Sequence, residues 1–278
     1  MPGRARAATI VLALCLALLS LFLWTRTVFV FSDTTPLDWE DLGPVPEASN
    51  KYPPQGLEIW NGNLLLSVHW NDTKTVVYEL STETWLPVRE FTMPPEAVHT
   101  SGLVLDGDTL WGVDYAVDRA YRMDPVASLN TGTAAEVNSF ATEISNTSAV
   151  TLLEHNGQRL MAISQHTPLA TIDLIDYAAA LASGSAEDHV IASFRSHPFS
   201  QGLTYKDGYL YDACNWLGKN RILKIDAAQA IADGTIKDAV VAIYEAPSKG
   251  VEDIIFHEGW LYTSDETSFR LYRTKLPE

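Results

Sequence analysis

The sequence predicts an all-β protein, a five-bladed β-propeller carried behind an N-terminal transmembrane helix. Three observations lead there. A short motif with a turn recurs five times at near-regular spacing, each copy is followed by runs that bring the repeat to about four strands, and an apolar stretch precedes them all. The chain has 278 residues, 46% of them hydrophobic and 19% charged, which excludes a disordered or collagen-like polymer and leaves room for a substantial core.

The apolar stretch comes first. Arg4 and Arg6 precede Ala7 to Trp24, in which only Thr9, Cys15 and Ser20 are mildly polar. At ~1.5 Å per residue such a run covers most of a ~30 Å hydrocarbon core. A cleaved signal peptide would need a small-x-small site after it, and Leu21-Phe22-Leu23-Trp24-Thr25-Arg26-Thr27 offers none, so residues 1–31 read as an anchor or uncleaved signal. Three of the 19 basic residues and none of the 35 acidic ones precede residue 32. The rest therefore carries 16 basic against 35 acidic residues, or −19 of the total −16. That asymmetry predicts a single-pass, N-in protein whose body is extracytoplasmic, with the membrane as partner through the helix alone. A body so acidic has no general positive field for nucleic acid. Cys214 is the only cysteine beyond the anchor, so the body holds no intrachain disulfide.

Residues 32–54, with five prolines, read as a tether with one strand near Leu37 to Leu42, and residues 55–278 as the propeller. Its repeats open at Gln55-Gly56-Leu57, Ser101-Gly102-Leu103, Ser148-Ala149-Val150, Gln201-Gly202-Leu203 and Gly250-Val251-Glu252. Asn-Gly, Asp-Gly or Glu-Gly turns follow a few residues on. Taking Gly56, Gly102, Ala149, Gly202 and Val251 as equivalent gives spacings of 46, 47, 53 and 49 residues, the length of a propeller blade. The fifth repeat stops after three strands, so the tether strand is expected to complete it and close the ring. The alanine-rich runs Tyr177 to Ala182 and Ala227 to Ala232 are too short to cross a parallel sheet and read as one- or two-turn insertions.

No Walker A, Rossmann, HExxH, GxSxG or paired-cysteine pattern occurs, and the seven histidines show no local metal-ligand spacing. In a propeller, equivalent positions of distant repeats meet at the central channel. Those positions are Gln55, Ser101, Ser148, Gln201 and Gly250, with Glu58 and Glu252 nearby. Strand ends add His69, Asp114, Gln165, His166, Asp212, Asn215, Asp265 and Glu266. Each has a plain structural alternative in a turn or inter-blade hydrogen bond. Trp70, Trp111, Tyr115 and Trp216 could form an aromatic contact surface or pack between blades.

The segment His197-Pro198-Phe199-Ser200-Gln201-Gly202-Leu203-Thr204-Tyr205-Lys206-Asp207-Gly208-Tyr209-Leu210-Tyr211-Asp212, continuing to Asp226, resembles the opening blade of plant and bacterial glutaminyl cyclases. About 30 residues carry the resemblance. It implies a five-bladed propeller that closes an N-terminal glutamine onto its own amine with loss of ammonia. Glu252 falls where that family has its proposed catalytic glutamate, and Gln201 where it has a channel glutamine. Asp212, in place of the family's glutamate after Leu-Tyr, joins Asn215 and Trp216 as substrate-binding candidates. The matching blades are the fourth and fifth here, whereas the family uses its first and second. A second resemblance, to calcium-dependent lactonase propellers, would put Asn215, Asp265 and Asp114 on a metal, although the leading carboxylate of that pattern is missing. The sequence thus names a glutaminyl-peptide cyclotransferase-like enzyme first. A non-catalytic scaffold for a small peptide or protein ligand comes second and a metal-dependent, lactonase-like hydrolase third. No metal ligand set is assigned and the cofactor is unknown. An enzyme predicts a shielded carboxyl beside hydrogen-bond donors in the channel, and a scaffold predicts none.

Overall fold

A computed structural model describes residues 32–71, 73–216 and 219–277, without the side chains of Trp216 and Lys219. The predicted transmembrane helix at residues 1–31 lies outside the described residues. Among the described residues no helix is long and apolar enough to cross a membrane.

The described residues form twenty strands in five four-stranded antiparallel sheets arranged as a propeller. The first four blades are consecutive: β2 (Pro54–Trp60) to β5 (Pro87–Thr92), β6 (Thr100–Asp106) to β9 (Ala135–Ala141), β10 (Thr147–His155) to β13 (Val190–Arg195), and β14 (Ser200–Lys206) to β17 (Val240–Glu245). The fifth joins β18 (Val251–His257), β19 (Trp260–Asp265) and β20 (Arg270–Thr274) to β1 (Glu40–Pro44) from the other end of the chain. β1 pairs antiparallel with β20, as the expected ring closure requires, and buries the edge that β20 would otherwise present. Two ion pairs flank that seam. Arg270 Nε lies 2.7 Å from Asp41 Oδ2, and Arg273 Nε lies 2.8 Å from Glu40 Oε2.

The first hairpin of each blade turns on the predicted glycines. Asn61-Gly62, Asn156-Gly157, Asp207-Gly208 and Glu258-Gly259 have positive φ at both residues, the mirror-image turn whose twist suits paired strands. In the four consecutive blades the outermost strand leaves its side chains exposed or half-buried except for one buried aromatic near its end: Phe91, Phe140, Phe194 and Tyr244. Burial of one such ring is worth ~1.5–3 kcal/mol. The core is divided into five apolar clusters, one between each pair of adjacent blades. Trp111 packs at the seam of blades two and three, against Phe140 and Tyr177, so it belongs to the core and not to a contact surface.

The two expected helical insertions are α2 (Tyr177–Ser183) and α3 (Ala227–Asp233). A third, α1 (Pro125–Thr131), was not predicted. All three obey one rule. An aspartate (Asp124, Asp176, Asp226) caps the N-terminus by accepting a backbone N–H three residues on, and a left-handed glycine (Gly132, Gly184, Gly234) ends the helix. The residue after that glycine then bridges, in parallel, to the outermost strand of the preceding blade: Thr133 to Thr92, Ser185 to Ala141 and Thr235 to Arg195. Thr35, ahead of β1, makes the same bridge to Tyr244, so the N-terminal segment stands in for the insertion that blade five lacks.

Candidate active site

At the axis every innermost strand carries a register irregularity near its start: between Pro54 and Leu57, Thr100 and Gly102, Thr147 and Ala149, Ser200 and Gly202, and Val251 and Ile254. Such bulges re-aim a side chain out of the sheet. The residues inside them, Gln55, Ser101, Ser148, Gln201 and Glu252, all line one axial cavity of about 210 Å³. The fifth member is therefore Glu252, and Gly250 lies two residues before the ring. Asp253, not Val251, is the structural equivalent of Gly56, Gly102, Ala149 and Gly202, which makes the last spacing 51 residues. The small residues there reflect close approach. A side chain on Gly202 would collide with the carbonyl oxygen of Glu252 and lie 2.7 Å from Asp253 Cα.

Serines sew this inner ring together. Ser67 Oγ donates to Thr100 O (2.9 Å), Ser101 Oγ to Thr147 O (2.9 Å), Ser148 Oγ to Ser200 O (2.6 Å) and Ser264 Oγ to Gln55 O (2.9 Å), each into the next blade. Ser101 and Ser148 thus take the structural alternative. Asp253, at the closing seam, accepts from Leu57 N (2.9 Å) and Ile254 N (2.9 Å), and Glu58 accepts from Ile59 N (2.7 Å) and Leu105 N (2.8 Å).

A cluster of carboxyls lies between blades four and five. Gln201 Nε2 donates to Glu252 Oε1 at 2.9 Å. Glu252 is buried, and burial, followed by the charges of Glu266, Asp265 and Asp253, pushes its pKa well above the ordinary carboxylate value. A hydrogen bond joins the carboxyls of Glu252 and Glu266. It raises the pKa of the first and lowers that of the second, which favours the neutral form of Glu252 and the ionised form of Glu266. Burial and the neighbouring Asp265 still hold the Glu266 pKa above its usual value.

The opposite wall is aromatic and polar. His69, His99, Tyr115 and His166 line it. The His69 and His99 rings stack with centroids 3.9 Å apart, and His99 lies 5.0 Å from Tyr115. Burial, with the nearby His99, pulls the His166 pKa down to about 4, so this imidazole is neutral at physiological pH. His69, Tyr115, His166 and Glu266 hold corresponding places, one residue past the innermost register pair of the second strands β3 (Asn63–His69), β7 (Thr109–Asp114), β11 (Gln158–Gln165) and β19. Separate blades thus bring together histidines that show no local pattern. Among the described residues no three His, Cys, Asp or Glu side chains form a metal-binding group, and no lysine or arginine lines the cavity.

The other sequence candidates lie elsewhere. Asp212 is fully buried outside the cavity, where it accepts from Ser196 Oγ (2.7 Å) and Ser200 Oγ (2.6 Å). Burial raises its pKa to about 7. It braces the segment that leads into β14 and does not line the cavity. Asn215 occupies the position matching Glu266 in blade four, yet it does not line the cavity. Trp216 ends β15 (Tyr209–Trp216), and its side chain lies outside the described residues. Asp114 and Asp265, the suggested oxygen ligands, have their carboxylates taken up by turn amides. Asp114 accepts from the N–H groups of His99, Ala116 and Val117, and Asp265 from those of Gly250, Thr267 and Ser268. His99 was missed as a site residue because it precedes its strand, in a loop with no periodicity.

No protein-family profile matches the chain, and no curated protein is similar to it in sequence. Among solved structures its fold is similar to that of a glutaminyl cyclase from Myxococcus xanthus, with a TM-score of 0.58 at 15% identity over 87% of this chain and 98% of that one. A chain of a nidogen/laminin complex gives a TM-score of 0.48 at 11% identity, over 80% of this chain and 76% of that one. The chain thus shares the five-bladed propeller fold with the Myxococcus xanthus structure.

Proposed function

We propose that this propeller is a glutaminyl-peptide cyclotransferase-like enzyme, with Glu252 as the proton-transferring group and Gln201 as the residue that orients it. The observation that carries the reading is the buried Glu252 carboxyl, its pKa raised by burial, on the wall of an axial cavity and held at 2.9 Å by the Gln201 amide. A carboxyl of raised pKa is suited to give a proton to a leaving nitrogen near neutral pH, and a scaffold channel has no need of one.

The cavity agrees with such a substrate. At about 210 Å³ it holds one amino-acid-sized group, and without a lining cation it suits an amine and a neutral carboxamide better than an anion. Polar donors on its walls can orient the carboxamide. In the reaction the α-amine of an N-terminal glutamine attacks the side-chain carboxamide carbon, and Glu252 protonates the departing ammonia. The apolar run from Ala7 to Trp24, preceded by Arg4 and Arg6, further supports a body held by a single span on the extracytoplasmic side of a membrane, with a small peptide as ligand.

The test is ammonia release from short peptides with N-terminal glutamine. The wild-type protein should turn over, and Glu252→Gln should lose ~10²–10⁴-fold in rate with its thermal midpoint unchanged. A well-folded wild-type protein that cyclises none of them refutes the enzyme reading and leaves a binding scaffold. Carbonate extraction of membranes tests the anchor: the full chain should stay in the pellet and a chain starting at residue 32 should not.

A further inference from the structure

Glu266 was not among the residues assigned a role in the sequence, yet the fold aims it at the reacting centre by several independent contacts. Its backbone N–H donates to Gly250 O at 2.8 Å. The turn that follows is held by Asp265, which accepts from Thr267 N (3.0 Å), Thr267 Oγ1 (2.9 Å) and Ser268 N (2.6 Å). Its side chain lies over Gly250, where an added Cβ would sit 2.9 Å from Glu266 Cγ. The absence of a side chain at residue 250 therefore leaves the Glu266 carboxyl room to reach the cavity and hydrogen-bond Glu252.

Resting on the cyclotransferase reading, we propose that Glu266 is a second catalytic carboxyl, the general base for the attacking amine, and that Glu252 is the acid for the leaving nitrogen. The two share one proton, as close carboxyls do when both cannot ionise. As the bond forms between the amine nitrogen and the carboxamide carbon, the amine's proton passes to the Glu266 carboxylate. The bond to the side-chain nitrogen then breaks as Glu252 supplies its proton, ammonia departs and the ring carbonyl re-forms. Glu266 is left protonated and Glu252 ionised, and transfer along their mutual hydrogen bond restores the starting state. No proton need come from outside the pair.

The groups facing the pair are consistent with this division. Asp265 backs Glu266 and raises its pKa, and Asp253 adjoins Glu252 with its own pKa pushed up by burial. Across the cavity stand His69, His99 and His166, of which His166 is neutral.

The test compares wild type, Glu266→Gln and Glu266→Ala on an N-terminal glutamine peptide, with the pH profile recorded and formate added as a small carboxylate. Expected results are a ~10²–10⁴-fold fall in kcat for Glu266→Gln with KM within a few-fold, loss of the acidic limb of the profile, and recovery of Glu266→Ala turnover with formate. An active wild type with Glu266→Gln turning over normally overturns the proposal and leaves the cyclotransferase reading standing. So does a loss that formate does not restore, which marks Glu266 as structural. A wild type inactive on every peptide removes both readings together. Should Glu266→Gln not fold, Glu266→Ala with formate carries the test alone.

Discussion

The approach of the blades at the axis can be tested with one methyl group. At Gly202 an added Cβ would meet only backbone: the Glu252 carbonyl oxygen, Asp253 Cα at 2.7 Å and Ile254 N at 2.9 Å. None of these atoms can swing aside as a flexible side chain would, so β18 as a whole must retreat. At Gly56 the nearest atoms are 2.9, 2.9 and 3.0 Å away, and at Gly102 they are 3.0, 3.0 and 3.2 Å, the last a Val113 side-chain carbon that can yield. Overpacking of this kind costs ~1–3 kcal/mol, and in a domain of this size each kcal/mol lowers the thermal midpoint by ~2–4 °C. Gly202→Ala should therefore lower Tm by about 4–10 °C, Gly56→Ala by less, and Gly102→Ala least. Only Gly202→Ala moves the strand that carries Glu252 away from Gln201, so any turnover should fall in that variant beyond what its lost stability explains. Circular dichroism melts of the three proteins at equal concentration read the order directly. A Gly202→Ala midpoint within about 1 °C of wild type, or one above that of Gly102→Ala, would refute the contact geometry argued for the axis.

Three further predictions concern stability and access. Burial raises the pKa of Glu58 and Asp212 to about 7 and that of Asp114 to about 6, so the folded state holds protons that the unfolded chain releases near pH 4. Stability is greatest below that point and falls as pH rises towards 7, and Asp212→Asn should flatten the fall in urea titrations between pH 5 and 8. Asp226→Ala removes the acceptor for Gln229 N at 3.0 Å and should cost ~1 kcal/mol, read as a fall of ~2–4 °C in Tm; an unchanged midpoint would mean the cap is dispensable. Cys214 is buried with a pKa pushed well above that of a free thiol, so a thiol reagent should label it only at the rate of unfolding, and fast labelling of folded protein would contradict its placement.

The blade repeat was legible because hairpin turns demand residues tolerant of positive φ, and Asn-Gly, Asp-Gly and Glu-Gly are visible as letters. The fifth register was misread by two residues for a related reason. Val251, following Gly250, was aligned with the glycines that open the other repeats, but that place belongs to Asp253, whose carboxyl takes the N–H groups of Leu57 and Ile254 at the seam. The helix α1 was hidden by Pro125, which reads as a breaker. At the first helical position, after the Asp124 cap, proline costs nothing, because its missing N–H would have had no helical partner. Gln201 and Glu252 were found because they lie inside the repeat. Of the histidine wall, His69 and His166 stood among the strand ends expected near the channel, but His99 did not, since it lies in a loop ahead of its strand and only ring closure makes the three neighbours.

The position of the site within the ring links its chemistry to the closure. Glu252 and Glu266 both belong to blade five, the one sheet built from the two ends of the chain, while their partner Gln201 belongs to blade four. The innermost strand β18 is held to β19, β19 to β20, and β20 to β1, so the strand that carries Glu252 gains its outer support from residues more than 200 positions away in sequence. On its other side the Asp253 carboxyl reaches Leu57 of blade one, and Ser264 reaches the carbonyl of Gln55. A carboxyl pair sharing one proton is sensitive to fractions of an ångström in separation. Placing it where β1 completes the ring makes its geometry depend on the whole circle being closed, so that a chain with its N-terminal strand detached would lose the alignment of Glu252 with Gln201 before it lost the four consecutive blades.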